Sequence, residues 1–454
     1  MTTTNLLTYN AKVSSVEQVY FSPVAVVPPY YSIPLSSIYC FLSKVDPWTD
    51  DNNPPVPTQD QKYIKQVFKN MFVAKAVQSN ELSPVIKRVN WTTGITYDYY
   101  RDDVDMFQTN VDGSYVLNFY VKNRYDQVFK CLWNNNAQPS TIEPYFEPGS
   151  YGTNNIFQSS DGYKWKYIYT IDLGSKVNFM DTNWMPVPVG ANTPNPLVTS
   201  AGAGSLDVIN VTNGGSGYDP ANAVITVTVT GDGSNATGTA VVSGGAITDI
   251  VVTSPGTNYT KANVSITSSL GSGAVAFAPT SPIGGHGFDP VSELGASHVM
   301  FSIEFKGSEN GIIPTDITYH QLGIVINPTT LQTNPAPANG SIYKTTTDLI
   351  VAPGFGVYVN DEIVYQGDIN NPTFTGTVLS FDVASNVLKL INTTGTLTNN
   401  ASIYGKVSVT TRTLLTYSVP NFQIFSGYMS YIENRSGITR SADGIEQFKL
   451  VLGY

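Results

Sequence analysis

The residues with the most chemical promise lie in two short runs. Gly284-Gly285-His286-Gly287-Phe288-Asp289 sets an imidazole among glycines, three residues before a carboxylate. Such a histidine suits acid–base catalysis or metal ligation, and both need two or three further groups converging on it. The sequence places none, so the run reads as a loop where an insertion rejoins the core. Asp102-Asp103-Val104-Asp105 offers hard oxygen ligands for a cation such as calcium. It lacks the glycine and the distal glutamate of an EF-hand loop and reads as a solvated loop. The chain has no Gly-x-x-x-x-Gly-Lys, Gly-x-Ser-x-Gly or Cys-x-x-Cys, and His286, His298 and His320 have the wrong spacing for a zinc helix. No Asp/Glu pair stands out for glycoside cleavage. The expectation is a protein without catalytic residues, cofactor or metal, and not an enzyme.

Two aromatic stretches need elements to hold them. In Asp161-Gly162-Tyr163-Lys164-Trp165-Lys166-Tyr167-Ile168-Tyr169, strand alternation puts Tyr163, Trp165, Tyr167 and Tyr169 on one face and Lys164 and Lys166 on the other. The aromatic face suits a core, a protein interface or a sugar-stacking platform, in that order. In Gly427-Tyr428-Met429-Ser430-Tyr431-Ile432-Glu433-Asn434-Arg435, an aromatic strand ends in a polar corner where Arg435 is able to clamp a carboxylate. That corner serves either the fold or a partner. The candidate partner or dimer interface is Tyr428, Tyr431, Glu433, Asn434, Arg435, Trp48 and Trp91.

Composition narrows the class. Of 454 residues only 13% are charged, about half the usual quarter, while 38 glycines, 28 prolines and 28 tyrosines point to turns and short strands. A net charge of −10 with no basic run argues against nucleic acid, which is bound through Lys and Arg. Low charge density agrees with a surface covered by other proteins. Cys40 and Cys131 read as two buried thiols. No secretory leader and no bilayer-spanning apolar run is visible, so no membrane insertion is expected.

The predicted fold class is mainly β: a layered β-sandwich core with one amphipathic helix, interrupted by two small all-β inserted modules. The helix is expected within Thr58–Val77, with Thr58 as N-cap and Ile64, Val67, Phe68 and Met71 on one face. Residues 1–203 form the first part of the core. Residues 204–280 form an inserted tandem β-repeat, since Val211–Tyr218 lines up with Val252–Tyr259 at a period of 41. Residues 281–337 return to the core. Residues 338–413 form an inserted barrel of about five strands, and 414–454 complete the core. Insertions at loop tips cost little closure entropy.

Taken in order, several motifs resemble the dimeric mid-wedge protein of the baseplate of T-even-type contractile-tailed bacteriophages. They are Ile38-Tyr39-Cys40-Phe41 leading to Asp46-Pro47-Trp48-Thr49, then Val85–Trp91, Val128–Leu132, Asp161-Gly162-Tyr163-Lys164-Trp165, Gln321–Pro328 and Tyr431–Arg435. The resemblance covers roughly residues 30–190, 298–330 and 414–454, and the two insertions depart from it. Asp46, Pro47, Asp161, Gly162, Tyr163 and Trp165 match as structural motif residues. The resemblance implies a homodimer in the virion tail baseplate, assembled in the host cytoplasm and contacting other wedge proteins. It contributes no catalytic residues. A carbohydrate-binding tail adhesin is the alternative, motivated by the tandem module, which offers only Tyr218, Tyr259 and Phe277 as aromatics, few for stacking sugars; a tail-associated polysaccharide hydrolase stands behind it.

Overall fold

A computed structural model describes residues 9–21, 37–111, 114–147, 155–189, 204–331 and 334–454. They are mainly β, with 47% strand and 9% helix. Two compact units emerge. The first comprises the described residues up to Val19, Ser83–Phe301 and Leu450–Tyr454; the second comprises those of Tyr20–Leu82 and Ser302–Lys449. The repeat segment belongs to the first unit and the barrel to the second.

The second unit is built on a five-stranded antiparallel sheet, in the order Ile342–Lys344, Met71–Ala76, Ile38–Ser43, Ile317–Ile326, Tyr428–Arg440. Every residue of Ile38–Ser43 is buried, because both faces of the sheet are covered; such strands read as continuous apolar runs rather than alternations. Tyr39, Phe41 and Ala74 pack on one face with Val67 and Phe68 of the helix Gln61–Asn70. On the other face Tyr319 meets Phe72 and Phe448, and Phe448 meets Phe305. The helix is shorter than expected. Its N-cap is Asp60, which accepts from the Tyr63 N–H, while Thr58 only hydrogen-bonds Asp60. It stops at Asn70 because Met71–Ala76 is drawn into the sheet beside Ile38–Ser43. Helices Tyr9–Phe21, Leu173–Phe179 and Pro290–Glu293 were not foreseen.

The same unit carries a closed barrel of Thr347–Val351, Val387–Gly395, Asn371–Asp382, Ile363–Asp368, Ser402–Gly405 and Thr411–Ser418. It has six strands rather than five. The stretch Ile403–Arg412 folds back on itself as two strands, and the last of these runs on to Ser418 to close against Thr347–Val351.

In the first unit, a four-stranded sheet runs Tyr120–Lys122, Gln127–Trp133, Lys164–Thr170, Ile156–Gln158. Its aromatic strand does not alternate throughout. Val128 pairs with Tyr169 and Phe129 with Tyr167, so Ile168 is an extra residue, a bulge that re-aims the end of the strand. Tyr163, Trp165 and Tyr167 stay together in one core, whereas Tyr169 joins Ile168 in another. This corrects the expected single aromatic face.

The tandem repeat folds with internal two-fold symmetry. Thr226 pairs with Thr267, its own counterpart 41 residues on. The copies exchange strands: Asn210–Ser216 of the first pairs with Ser272–Phe277 of the second, and Ala246–Thr257 of the second with Ser234–Ser243 of the first. The anchoring tyrosines repeat atom for atom. Tyr218 N–H donates to Gly245 O and Tyr259 N–H to Gly204 O; the Tyr218 hydroxyl accepts from Ala274 N–H and that of Tyr259 from Ala236 N–H. Gly215 and Gly256 turn the chain at φ of 63° and 64°, a region closed to most side chains. Neither copy closes its core alone.

Candidate functional site

The His286 loop is positioned by the helix it leads into. Asp289 caps Pro290–Glu293 by accepting from the Val291 and Ser292 N–H groups. That single turn swings Glu293 back over the loop, where its carboxylate accepts from Lys130 Nζ at 3.0 Å and from the Gly287 N–H. His286 Nδ1 lies 3.1 Å from Glu293 Oε1 and 3.2 Å from Lys130 Nζ. The Tyr100 ring stands edge-on to the imidazole, and Lys130 Nζ sits 3.9 Å from the centre of that ring. Lys130, His286 and Glu293 are all buried. A second buried lysine, Lys166, is the cross-strand partner of Lys130. Two like charges opposite one another destabilise a sheet, so Glu293 is needed there as a counter-ion.

The electrostatics follow from this enclosure. Burial alone raises the Glu293 pKa, but the Lys130 charge and the hydrogen bonds from His286 and Gly287 outweigh it and hold the carboxyl at about 2. Burial, reinforced by Lys130, lowers the His286 pKa and keeps the imidazole neutral. Both are the states expected of a closed ion pair with a neutral neighbour.

A cavity of about 530 Å³ lies beside this cluster, lined by Lys130, Glu293, Tyr100, Asp102, Asp105 and Phe288 among others. The structure therefore brings the two chemically promising runs to one place. Their polar groups are already committed. Asp102 accepts from the N–H and hydroxyl of Thr280, Asp103 clamps Arg101, and Asp105 accepts from the Phe107 N–H. Among the described residues, no three His, Cys, Asp or Glu side chains are placed to hold a metal ion. Sequence reasoning missed Lys130 and Glu293, and it placed Lys166 on a strand face without setting it beside Lys130. The one available signal was two lysines, Lys164 and Lys166, alternating within an aromatic strand, and both are buried.

The predicted interface residues separate into three groups. In the second unit, Trp48 Nε1 donates to Arg435 O at 2.9 Å. Arg435 Nε and the Tyr431 hydroxyl both donate to Glu433. Asn434 accepts from Tyr63 and Gln321 and donates to Pro55 O. Lys44 bridges Asp46 and lies over the Trp48 ring, while Pro47 beside them is exposed. The polar corner is thus tied into its own fold. Tyr428, by contrast, is 75% exposed.

Trp91 belongs to the first unit and to a different corner. Its Nε1 donates to Ser140 Oγ, which donates to Asp161. Asp161 also accepts from the Thr141 and Ile142 N–H groups, and burial's upward push on its pKa is outweighed by these bonds and that from Ser159. Gly162 makes the turn at φ 85°, Tyr163 stacks on Trp165, and Trp165 is fully buried. Lys164 reaches Ile209 O and pairs with Asp249 of the tandem module at 2.7 Å. Cys40 and Cys131 are buried free thiols. No described helix is long and apolar enough to cross a membrane.

The chain matches no protein-family model and no curated protein.

Proposed function

We propose that this protein is a structural subunit of the baseplate wedge of a contractile phage tail, a homodimer in the virion that works through contacts with other wedge proteins and performs no catalysis. The observation that supports this reading most is the union of two motifs 387 residues apart. The Asp46-Pro47-Trp48 turn and the Glu433-Asn434-Arg435 ending, both part of the resemblance, meet through the Trp48–Arg435 hydrogen bond. Two motifs that a family keeps in order are expected to meet when they serve one core. The buried, charge-balanced state of Lys130, His286 and Glu293 fits the same reading, because these groups lock a loop. The adhesin alternative drew on the tandem module, whose few aromatics include Tyr218 and Tyr259, and both of these are buried with their hydroxyls spent on backbone N–H groups.

Size-exclusion chromatography with light scattering tests the proposal, first on the protein alone and then with the other wedge proteins of its virion. A dimer that enters a larger complex is the expected result. A monomer that ignores those proteins contradicts it and makes glycan binding the next measurement.

A further inference from the structure

The cavity beside the Lys130 cluster, about 530 Å³ in volume, has aromatic walls that include the rings of Tyr100, Phe107 and Phe288. Two glycines make room for two of these rings. A Cβ at Gly284, where φ is 87°, would overlap the Phe288 ring, and one at Gly295, where φ is 71°, would overlap that of Phe107. Both rings therefore pack straight onto backbone, and a larger residue at either glycine displaces an aromatic wall. Phe288 and Ile283, which also lines the cavity, are exposed, so the cavity opens to solvent beside them. Charge on the walls is unbalanced. Arg101 is clamped to Asp103, and Lys130 is paired with Glu293. The remaining lining carboxylates, Asp102, Asp105 and Asp289, have no ion-pair partner among the described residues. The hydrogen bonds they accept come from N–H and hydroxyl groups, which hold them in place without neutralising them. The site already carries one ammonium on an aromatic face, since Lys130 Nζ stands 3.9 Å from the centre of the Tyr100 ring.

We propose that this cavity binds an organic cation, an ammonium or guanidinium group on an apolar stem. The proposal goes beyond the wedge reading and does not rest on it. Aromatic faces attract a cation through the ring quadrupole, most strongly where water is excluded. The three uncompensated carboxylates set the sign of the charge that the cavity collects, and Glu293, 3.0 Å from Lys130 Nζ, cancels the one cation on the inner wall. Other ligand classes fit less well. An anion meets three like charges, and a neutral apolar ligand strips water from carboxylates without pairing them. A metal ion needs several converging oxygen or nitrogen ligands; here the walls are aromatic, and among the described residues no three His, Cys, Asp or Glu side chains are placed to hold one. The volume lies within the range of about 300–1,000 Å³ common to small-molecule sites. It takes a guanidinoalkane or polyamine, or the side chain of an arginine or lysine carried by another protein. The recognising chemistry is the same for both sources.

The test titrates the full chain calorimetrically with agmatine, which carries a guanidinium and an ammonium on a short alkyl chain. The uncharged 1,4-butanediol and the anion succinate serve as controls of similar length. Saturable binding of agmatine with a Kd below about 1 mM is expected, with none for either control. The variant carrying Asp102→Asn, Asp105→Asn and Asp289→Asn keeps the acceptor oxygens and the helix cap while removing three charges. Its Tm is expected to match wild type and its affinity to fall at least about tenfold, and Phe288→Ala is expected to lower affinity about threefold or more. If the triple variant misfolds, Asp105→Asn alone and the two control ligands on wild type carry the test. No saturable binding of agmatine up to about 10 mM, equal affinity of wild type and triple variant, or equal binding of 1,4-butanediol overturns the site. A separate arm reads the source by adding saturating agmatine to complexes of the chain with the other purified tail proteins of its virion. Displacement of one of them assigns the cation to a side chain of that protein, and complexes that withstand agmatine assign it to a free amine; with the binding shown, each supports the site.

Discussion

Trp165 illustrates how one residue of the aromatic strand is used. It is fully buried, stacked on Tyr163 and edge-on to Tyr97. Trp165→Ala is expected to cost about 3–5 kcal/mol in chemical denaturation; a loss below 1 kcal/mol would mean that the site collapses to fill the gap. The Lys130–His286–Glu293 cluster makes stability depend on pH. His286, lowered by burial, and His298, held at about 4 by burial and by Lys87 and Lys12, stay neutral when folded but take up protons when unfolded. Their contribution is present above the ordinary histidine value of 6.5 and is lost as pH falls below it. Glu293, at about 2, adds a second loss as pH falls through 4.5 toward 2. Thermal melts should therefore show Tm falling between pH 7 and 5 and falling again below 4.5. His286→Gln together with His298→Gln should flatten the first limb. A Tm independent of pH from 7 to 4 would contradict the burial of these groups.

At the scale of elements, the tandem module is joined to its neighbouring sheet by charge as well as by chain. Lys164 is buried and finds both partners, Asp249 and Ile209 O, within the module. Deleting 204–280 behind a short Gly/Ser bridge strands that ammonium, an expected loss of about 3–5 kcal/mol. The same deletion with Lys164→Met should recover most of it; equal stability of the two deletions in urea melts would show that Lys164 escapes to solvent. Strand positions were legible where alternation or an apolar run is strong, as in Gln127–Trp133 and His298–Lys306. The 41-residue repeat was legible because glycine and tyrosine recur at fixed offsets. What was not legible depended on tertiary partners. Met71 has a helical pattern behind it yet pairs in a sheet, and the Ile168 bulge leaves no mark in the sequence. Lys130 and Glu293 are ordinary charged residues until the fold brings them to 3.0 Å. The motif corners were readable as polar turns, but whether Glu433-Asn434-Arg435 faces inward or outward is decided by Trp48, Tyr63 and Gln321, distant in sequence.

Across the whole molecule, low charge density and a mainly β fold support a protein that spends its surface on neighbours. Open strand edges and apolar knobs are hazards in a free protein and assets in an assembly, where partners cover them. The most direct test of the assembly claim is cryo-electron microscopy of the intact virion tail, with the chain traced in the density. The expected result is the six-stranded barrel and the tandem β module in the baseplate wedge, in paired copies. Density for the chain at a receptor-binding fibre tip, or a tail that lacks the chain altogether, would contradict it.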